Sequence, residues 1–570
     1  MRLRTGIRLL AVATVGLLLA GCAGLPTSGP PNAGLAVGED GEDPAFTPIA
    51  QGPEPGAGPE DIVAGFLEAS MTPANNWEIA HQFLTEDFSR EWDPEVGVAI
   101  DSSVLERRFT PDVDADDESA TAAAVIVELD QIASVDADGA YSAAAGAAKA
   151  TYRLERESGG EWRISEAKDG VTLDIDTFSK VYEKFALKYF DSSWTHLVPD
   201  VRWYPRRAAM ATTITRAVIS GAPTDWLAPA VQTAFPADVS LVGEAVPIDS
   251  SQVASVSLTR SALSTSSSVL ARMRTQLEES LAGAGVSEVR FVVDGAPLAA
   301  DTVSVEESIV DPGVLVFDGT TFGTAASGEI APVGALTEQI SEFARPIRSI
   351  DVSLDAQFAA VQLQDGHVWA VSDGTRNEVD GRPGLIVPSL DPFGFIWSAP
   401  ASSPAQVRAW DARRIVEHEV ADAWPDADTI SHLRVSADGA RIAAVVASGG
   451  VHRLVVAAII RNDDGVPIGL GEQFPQEVPL PHGTAQGLAW VGADSVAVLS
   501  DPPDPVLTTF TVGGPWSTSP APVDAVSLAG ARTTTGVRVL ADDGVVYAQR
   551  GSSWQNAVDD VVVLGTRAGY

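Results

Sequence analysis

Apolar residues first recur at helical spacing and then alternate along extended segments. After residue 59 they lie on one face of a predicted helix, at Ile62, Phe66, Leu67 and Met71. A second helical segment is predicted over residues 77–84. Strands are predicted over residues 124–129, 151–157 and 162–165, with a glycine-containing turn joining the last two. Helices followed by antiparallel strands predict an α+β domain over residues 60–195.

Residues 196–320 carry a second mixture of helices and strands. The predicted elements are a strand over 201–205, a helix over 212–220, strands over 239–242 and 253–258, a helix that ends near residue 283, and a strand over 289–293. The longer helix has its apolar face at Leu270, Met273, Leu277 and Leu281. This order predicts a second α+β domain.

From residue 340 to residue 570 the pattern is one of short strands and turns, with a weak internal repeat. The run Val352-Ser353-Leu354-Asp355, followed by residues 358–361, recurs 83 residues later as Val435-Ser436-Ala437-Asp438, followed by residues 442–445. This spacing is close to two propeller blades of about 40 to 45 residues each. A pair of β-sandwiches would give short strands without such a repeat. We therefore expect an all-β propeller with at least five blades.

The chain begins with three arginines and an almost continuous apolar run, typical of a secretory signal over residues 1–21. The run ends at Leu19-Ala20-Gly21-Cys22, which matches the bacterial lipobox, and Cys22 is the only cysteine. We expect cleavage before Cys22, a diacylglycerol thioether on its sulfur and an N-acyl chain on its amino group. An uncleaved anchor helix is the alternative, although the run is shorter than the about 20 residues that a membrane span needs.

The composition of the chain after the signal predicts a flexible tether and limits the classes of partner. Residues 22–59 predict a flexible tether, because eight prolines and eight glycines lie between residues 23 and 59. The chain holds 77 acidic and 37 basic residues, a formal net charge of −40. Nucleic-acid binding needs clusters of basic residues, so this class of partner is excluded. The same charge disfavours adsorption to an anionic membrane, so we expect contact with the lipid bilayer through the acyl anchor.

No arrangement of residues predicts a catalytic site. His418 is flanked by two glutamates, but the seven histidines are scattered and none completes a ligand set. Ser165-Glu166-Ala167-Lys168 has the spacing of an acyl-enzyme motif, yet it ends a predicted strand. The run from Asp112 to Asp116 starts like a calcium loop but lacks the later glycine and glutamate. We expect no enzyme activity, no metal and no cofactor beyond the lipid on Cys22; a metal site assembled from distant residues stays open.

Tryptophans are frequent in the C-terminal region, at positions 369, 397, 410, 424, 490, 516 and 554. Packing within and between blades is the simpler interpretation. The alternative places one or two of them at a propeller rim as anchors for a protein or a glycan, because tryptophan is enriched at interface hot spots.

Several stretches resemble known domains. Residues 60–195 are similar in element order to the NTF2-like class. Residues 196–320 resemble the GerMN domain, through the helix that ends at Ser220-Gly221-Ala222-Pro223, Phe235-Pro236 before a strand, and the β-run that ends at Asp294-Gly295. With the lipobox, the propeller pattern and the run from Cys22 to Pro30, almost the whole chain resembles the LpqB family of actinobacterial lipoproteins.

This resemblance implies a protein anchored on the extracytoplasmic face of the cell membrane. The implied partner is the extracellular domain of the sensor histidine kinase of the Mtr two-component system, with effects on cell-wall homeostasis and division. No short binding motif carries over from the family to this sequence. Two alternatives stay open: a propeller that binds cell-wall glycan or acts as an envelope hydrolase, and a structural spacer between membrane and wall.

Overall fold

The computed structural model describes residues 50–570, apart from 114–116, 118, 207–208, 307–312, 327–328, 474–477, 481–483, 501–504 and 552. The predicted signal peptide, the lipobox with Cys22, most of the tether and Asp114 to Asp116 lie outside the described residues. Within the described part of the chain, none of the helices is both long and apolar enough to cross a membrane.

The first domain is a curved sheet with helices on one side. Its helices are α1 Pro59–Ala69, α2 Glu78–His81, α3 Glu86–Glu91 and α4 Ile175–Val181. Its strands are β1 Gly97–Asp101, β2 Arg108–Pro111, β3 Ala122–Asp136, β4 Tyr141–Arg156, β5 Trp162–Glu166 and β6 Val171–Asp174. The sheet order is β5-β4-β3-β1-β6, with β2 paired to β3. Ile62 and Phe66 of α1 are buried in this core, and the Phe66 ring lies 6.0 Å from that of Tyr152.

The helical prediction for residues 77–84 is only partly right. The helix begins at Glu78 and ends at His81. Trp77 adopts a left-handed backbone with φ of 55°, and its indole N–H donates to the Ser70 carbonyl at 2.9 Å. Because this buried bond fixes Trp77 outside helical geometry, only one turn forms. The predicted strands over 124–129, 151–157 and 162–165 are confirmed as parts of β3, β4 and β5.

The second domain packs two helices against two small sheets. The helices are α5 Met210–Ser220 and α6 Ser267–Leu281. The strands are β7 Tyr182–Asp191, β8 Leu197–Pro205, β9 Val231–Gln232, β10 Val253–Ser257, β11 Glu288–Val293 and β12 Ala296–Leu298, in sheets β8-β7-β9 and β10-β11-β12. The predicted apolar face of α6 is confirmed, with Leu270, Met273, Leu277 and Leu281 all in the core. Gly221 ends α5 with φ of +85°, a conformation that favours glycine.

No strand forms over residues 239–242, in contrast to the prediction. The Val239 N–H donates to the Pro236 carbonyl in a turn, and Leu241 forms an antiparallel bridge to Leu258 with one backbone hydrogen bond on each side. The pairing is limited to this bridge, and Val239 is buried in the core.

The rest of the chain forms six sheets, which we number as blades 1 to 6 among the described residues. Blade 1 contains β13 Val314–Phe317, β14 Phe322–Ala326, β15 Glu329–Ala331 and β37 Val563–Leu564, and is followed by helix α7 Leu336–Ser341. Blade 2 contains β16 Ile347–Val352, β17 Phe358–Leu363, β18 Val368–Ser372, β19 Thr375–Asp380 and β38 Thr566–Arg567. Blade 3 contains β20 Ser389–Leu390, β21 Phe395–Ser398, β22 Arg408–Asp411 and β23 Val416–Glu419.

The remaining blades have the same meander of antiparallel strands. Blade 4 contains β24 Thr429–Val435, β25 Arg441–Ser448, β26 Val451–Arg461, β27 Pro467–Gln473 and β28 Val478–Pro479. Blade 5 contains β29 Ala485–Val491, β30 Ser495–Ser500, β31 Val506–Thr511 and β32 Trp516–Pro520. Blade 6 contains β33 Ala525–Ala529, β34 Arg538–Ala541, β35 Val546–Arg550 and β36 Ser553–Val558.

Blade 1 is assembled from both ends of this region. β37 pairs antiparallel with β13, so that Val316 lies opposite Leu564. β38 then pairs in parallel with β16, with Asp351 opposite Thr566. The ring is therefore closed by hydrogen bonds between distant parts of the chain. The sequence reasoning placed a domain boundary between residues 320 and 340, and this blade contains strands on both sides of it.

The sequence repeat corresponds to a turn that side chains hold together. In blade 2 the Ser353 hydroxyl donates to Asp355 at 2.6 Å and accepts from the Phe358 N–H at 2.9 Å. In blade 4 the Ser436 hydroxyl makes the same bond to Asp438, also at 2.6 Å. The two turns connect the first and second strands of blades separated by blade 3, which confirms the expected period of two blades.

Candidate functional site

The ring has two faces that differ in what covers them. We call β16, β20, β24, β29, β33 and β37 the inner strands, because residues from all six blades near the starts of these strands surround one axial cavity of about 620 Å³. We call the face where they begin the open face. The face where they end is the capped face, because the second domain packs there.

Strand β8 is the main connection at the capped face. The Trp203 backbone N–H donates to the Gly139 carbonyl in the first domain at 2.8 Å. Its indole N–H donates to the Gly513 carbonyl, in the β31–β32 turn of blade 5, also at 2.8 Å. The neighbouring strand β7 adds an ion pair from Lys184 to Asp494, at 2.9 Å. One tryptophan in the second domain thus bonds both the first domain and the ring.

An apolar segment of the second domain also packs between blades 4 and 5. Trp226, Leu227 and Ala230 are buried in one cluster with residues of both blades, including Val456 and Trp490. Burying a leucine side chain contributes about 1.5–3 kcal/mol. This segment therefore fixes the second domain to the ring by hydrophobic contact in addition to hydrogen bonds.

A cavity of about 290 Å³ remains between the second domain and the capped face. Its charged side chains are Lys188, Glu279 and Glu306 from the second domain and Asp438 and Arg532 from the ring. Burial lowers the pKa of Lys188, and the Asp494 carboxylate opposes that shift. Because both signs of charge line this cavity, it has no preference for an anion or a cation.

A buried ion pair lies beneath the axial cavity. Arg434 Nη1 of blade 4 donates to Asp351 Oδ2 of blade 2 at 3.2 Å and to the Pro388 carbonyl at 2.9 Å. Arg434 Nε donates to the Leu488 carbonyl of blade 5 at 3.3 Å, and Asp351 accepts from the Thr566 hydroxyl at 2.9 Å. These bonds connect the inner strands of blades 2, 4 and 5 with the segment that leads into blade 3.

The mouth of the cavity is formed by irregular strand starts. β16, β24, β29 and β33 each have a β-bulge near their first residue, and the extra residues line the cavity: Arg348, Ser431, Gln486 and Val526. Bulges re-aim a side chain and are frequent next to binding sites. Arg348, Val526 and the nearby Val562 are exposed at this mouth.

His432 is a titratable side chain in the lining of the axial cavity. Burial is the largest cause that lowers its pKa to about 4; the charges of Arg434 and Arg348 act in the same direction, and a hydrogen bond with the Gln486 backbone opposes the shift. The imidazole is therefore neutral at neutral pH. Its Nδ1 lies 3.1 Å from the Ser431 hydroxyl.

The residues that the sequence singled out for chemistry do not come together. His418 lies on β23, where its neighbours Glu417 and Glu419 both pair with Arg408. Ser165 ends β5, as expected. Among the described residues no group of three or more histidine, cysteine, aspartate or glutamate side chains could hold a metal ion.

The tryptophans mostly follow the packing interpretation. Trp397, Trp424 and Trp490 are fully buried. The Trp397 indole donates to Asp391 at 3.0 Å, and the Trp490 indole donates to the Arg434 carbonyl at 3.0 Å. Trp516 on the outer strand of blade 5 is 48% exposed and is the tryptophan best placed for a rim contact.

The sequence reasoning did not select the residues of the axial cavity. A signal was present for Arg434 of the lining and for Asp351 beneath it, because these residues directly precede Val435 and Val352, the first residues of the repeat. Opposite charges at equivalent positions of a repeat predict a pair across the ring axis. The sequence contains no comparable signal for the bulged residues, because the position of a bulge is set by the register with the neighbouring strand.

Three family models match successive parts of the chain. They are described as the lipoprotein LpqB N-terminal domain over residues 52–179, sporulation and spore germination over residues 187–299, and the lipoprotein LpqB beta-propeller domain over residues 340–563. These matches confirm the predicted class of two α+β domains followed by an all-β propeller.

Curated relatives match the chain over most of its length. Lipoprotein LpqB of Rhodococcus jostii (strain RHA1) is 27% identical and covers 94% of this chain and 92% of its own. Lipoprotein LpqB of Thermobifida fusca (strain YX) is 26% identical, with coverages of 96% and 97%. Among solved structures, the nidogen/laminin complex matches with a TM-score of 0.34 and 9% identity, over 45% of this chain and 97% of that one.

The matches to the N-terminal and propeller models lie at both ends of the described structure, and the two relatives cover 94% and 96% of this chain. The chain belongs to the LpqB family of lipoproteins.

Proposed function

We propose that this protein is a non-enzymatic lipoprotein, anchored through Cys22 on the extracytoplasmic face of the cell membrane, that binds and modulates a sensor histidine kinase. The proposed partner surface is the kinase's extracellular domain, in the Mtr two-component system, with effects on cell-wall homeostasis and division. The observation that carries the proposal is that, among the described residues, the second domain packs on the capped face of the ring and not on the open face.

The open face has the composition of a docking surface. Val562 is 60% exposed and Val526 is 41% exposed, and both lie at the cavity mouth beside Arg348. Apolar side chains around a central depression with arginine nearby are typical of protein interfaces. A partner that docks here leaves the contacts of the capped face intact.

Two exposed valines provide a matched test of this surface. Val526 lies at the open face and Val416 begins β23 at the opposite, capped side of blade 3, with exposed fractions of 41% and 43%. The full-length protein in detergent is incubated with the tagged kinase, and co-purification is measured for Val526→Glu and Val416→Glu. We expect Val526→Glu to abolish co-purification and Val416→Glu to leave it unchanged.

Loss of binding with both variants, or with neither, would contradict the open face as the docking surface. Turnover of a cell-wall substrate by the purified protein, lost on one point substitution, would contradict the non-enzymatic assignment. Sedimentation with isolated cell wall in place of kinase binding would favour the glycan-binding alternative.

The anchor is tested separately. Cys22→Ala removes the only sulfur that can carry the diacylglycerol, and we expect an unprocessed precursor that is released from membranes without detergent. Ser28→Ala, outside the lipobox, serves as the control and is expected to be processed normally. Membrane retention of Cys22→Ala would indicate a partner or an uncleaved helix as the anchor.

A further inference from the structure

We propose that the axial cavity of the ring is a binding site for a ligand that carries one carboxylate on an apolar body. The inference goes beyond the proposed function and does not depend on it, because it concerns the cavity and not the identity of the partner. The carboxylate could belong to a free small acid or to an acidic side chain of a docked protein.

The first argument is the sign of the charges around the cavity. Among the described residues, its charged or titratable lining residues are Arg348, Arg434 and His432, with no aspartate or glutamate. The whole chain has 77 acidic and 37 basic residues. Cationic side chains without an acid in the described lining favour an anion over a cation at this site.

The second argument is that only one of these cations is available. Arg434 is engaged by Asp351 and by two backbone carbonyls. Arg348 makes no hydrogen bond or ion pair with any described residue, and it is exposed at the mouth. One free guanidinium matches the single charge of a carboxylate and would leave a doubly charged phosphate partly uncompensated.

The third argument concerns polar groups next to Arg348. The Ser349 hydroxyl is buried and has no hydrogen-bond partner among the described residues, although buried polar groups are nearly always bonded. It follows the bulged Arg348 directly in the chain. The bulged Ser431 and its neighbour His432 also line the cavity. An anion held by Arg348 would give the Ser349 hydroxyl an acceptor.

The apolar side chains at the mouth favour a ligand with an apolar body. Val526 and Val562 are exposed there beside Arg348, whereas the leucines and isoleucine of the deeper lining are packed in the cores between blades. The volume of about 620 Å³ lies within the range of small-molecule sites. One cation next to two exposed valines fits a small amphipathic acid.

The test uses the purified full-length protein in detergent and a pair of matched probes. The probes are 4-tert-butylbenzoate and its neutral analogue 4-tert-butylbenzamide, with affinities measured by calorimetry. We expect the benzoate to bind at least about ten-fold more tightly than the benzamide, since a hydrogen bond to a charged group is worth about that factor or more.

The variants assign that difference to one residue. We expect Arg348→Gln to reduce benzoate binding to the level of the benzamide, and Arg348→Lys to restore part of it. Arg414→Gln removes an equal charge from a side chain that is 79% exposed in blade 3, and we expect it to change nothing. Equal affinities for the two probes, no saturable binding of either, or no effect of Arg348→Gln would overturn the proposal.

A second pair of probes separates the two sources of the carboxylate. These are the peptides acetyl-Val-Glu-Val-amide and acetyl-Val-Gln-Val-amide. Binding of the glutamate peptide, weakened by Arg348→Gln, would identify a docked acidic side chain as the ligand. Binding of the benzoate without the glutamate peptide would identify a free small acid.

Discussion

The two faces of the ring are built from opposite ends of the same strands, yet they are specialised in different ways. At the capped face, serine–aspartate turns such as Ser436–Asp438 are held by side-chain hydrogen bonds, and Trp203 and Lys184 attach the other domains. At the open face, four inner strands begin with bulges whose extra residues point into a cavity. The comparison teaches that one repeated unit can supply structural rigidity at one end and binding groups at the other.

The largest effect is expected from breaking the capped face. Trp203→Ala removes the indole, which packs 5.0 Å from the Phe178 side chain and donates a hydrogen bond to the Gly513 carbonyl. Replacing a buried tryptophan by alanine costs about 3–5 kcal/mol. We expect a loss of this size in the free energy of unfolding, measured by chemical denaturation, and faster hydrogen exchange in the β31–β32 turn.

Trp516→Ala is the control for this change. Trp516 is 48% exposed at the start of β32, and its side chain makes no hydrogen bond with a described residue, so a loss of less than about 1 kcal/mol is expected. Equal losses for the two variants would mean that Trp203 is not a special connection between the domains.

A smaller but still large loss of stability is expected from breaking the buried ion pair between Asp351 and Arg434, which lies between the two faces of the ring. Asp351→Ala leaves the buried Arg434 guanidinium without its carboxylate, and breaking one partner of a buried pair costs about 3 kcal/mol or more. The free energy of unfolding measures this cost. Asp365→Ala, which removes a surface partner of Arg345, should cost less than about 1 kcal/mol. Comparable costs would contradict the role of Asp351 and Arg434 in holding the ring.

The next largest effect is the pH dependence of stability that arises from His432 in the lining of the axial cavity. Its folded pKa of about 4 lies below the ordinary value of 6.5. Between these values the unfolded chain binds the proton and the folded chain does not, so this contribution to stability is complete above pH 6.5 and falls as the pH decreases to 4. The loss is at most about 3 kcal/mol.

The measurement compares the free energy of unfolding of the wild type and His432→Gln across this pH range. We expect the wild type to lose stability relative to the variant as the pH falls. The shift is caused mainly by burial and then by the charges of Arg434 and Arg348, and the hydrogen bond with the Gln486 backbone opposes it. The same comparison with His367→Gln, an exposed histidine next to Glu378, provides the control. Parallel pH curves for wild type and His432→Gln would show that His432 titrates normally.

The smallest effect on stability is expected at the cavity mouth. Arg348→Gln removes an exposed side chain with no ion pair among the described residues, and surface substitutions of this kind change stability by about 0.5 kcal/mol or less. Thermal unfolding checks this result. A larger loss would mean that Arg348 stabilises the ring, which would weaken its assignment as a binding group.

Local elements of the fold were predictable from the sequence, whereas their assembly was not. The helix α6 has a clear apolar face, and the turns after Val352 and Val435 repeat with the period of two blades. These features depend on residues close in the chain. The closure of blade 1 joins Val316 to Leu564, and no local pattern records a pairing over that separation.

The functional residues show the same contrast between local motifs, which the sequence predicts, and long-range contacts, which it does not. The lipobox at Cys22 is a local motif and could be identified directly from the sequence. Arg348 has no motif around it, because its exposure at the mouth depends on a bulge that is set by the partner strand β17. The contact of Trp203 with Gly513 joins residues 310 positions apart and likewise leaves no periodicity.

The most direct test of the central claim is photo-crosslinking in living cells from positions on different surfaces. A photoreactive residue is placed at Val562 or Val526 on the open face, at Val416 on the capped side of blade 3, or at Leu105 of the first domain, which is 91% exposed. Captured proteins are identified by mass spectrometry. The account predicts capture of the sensor kinase's extracellular domain from the two open-face positions alone. Capture of the kinase from Val416 or Leu105, with none from Val562 and Val526, would contradict it.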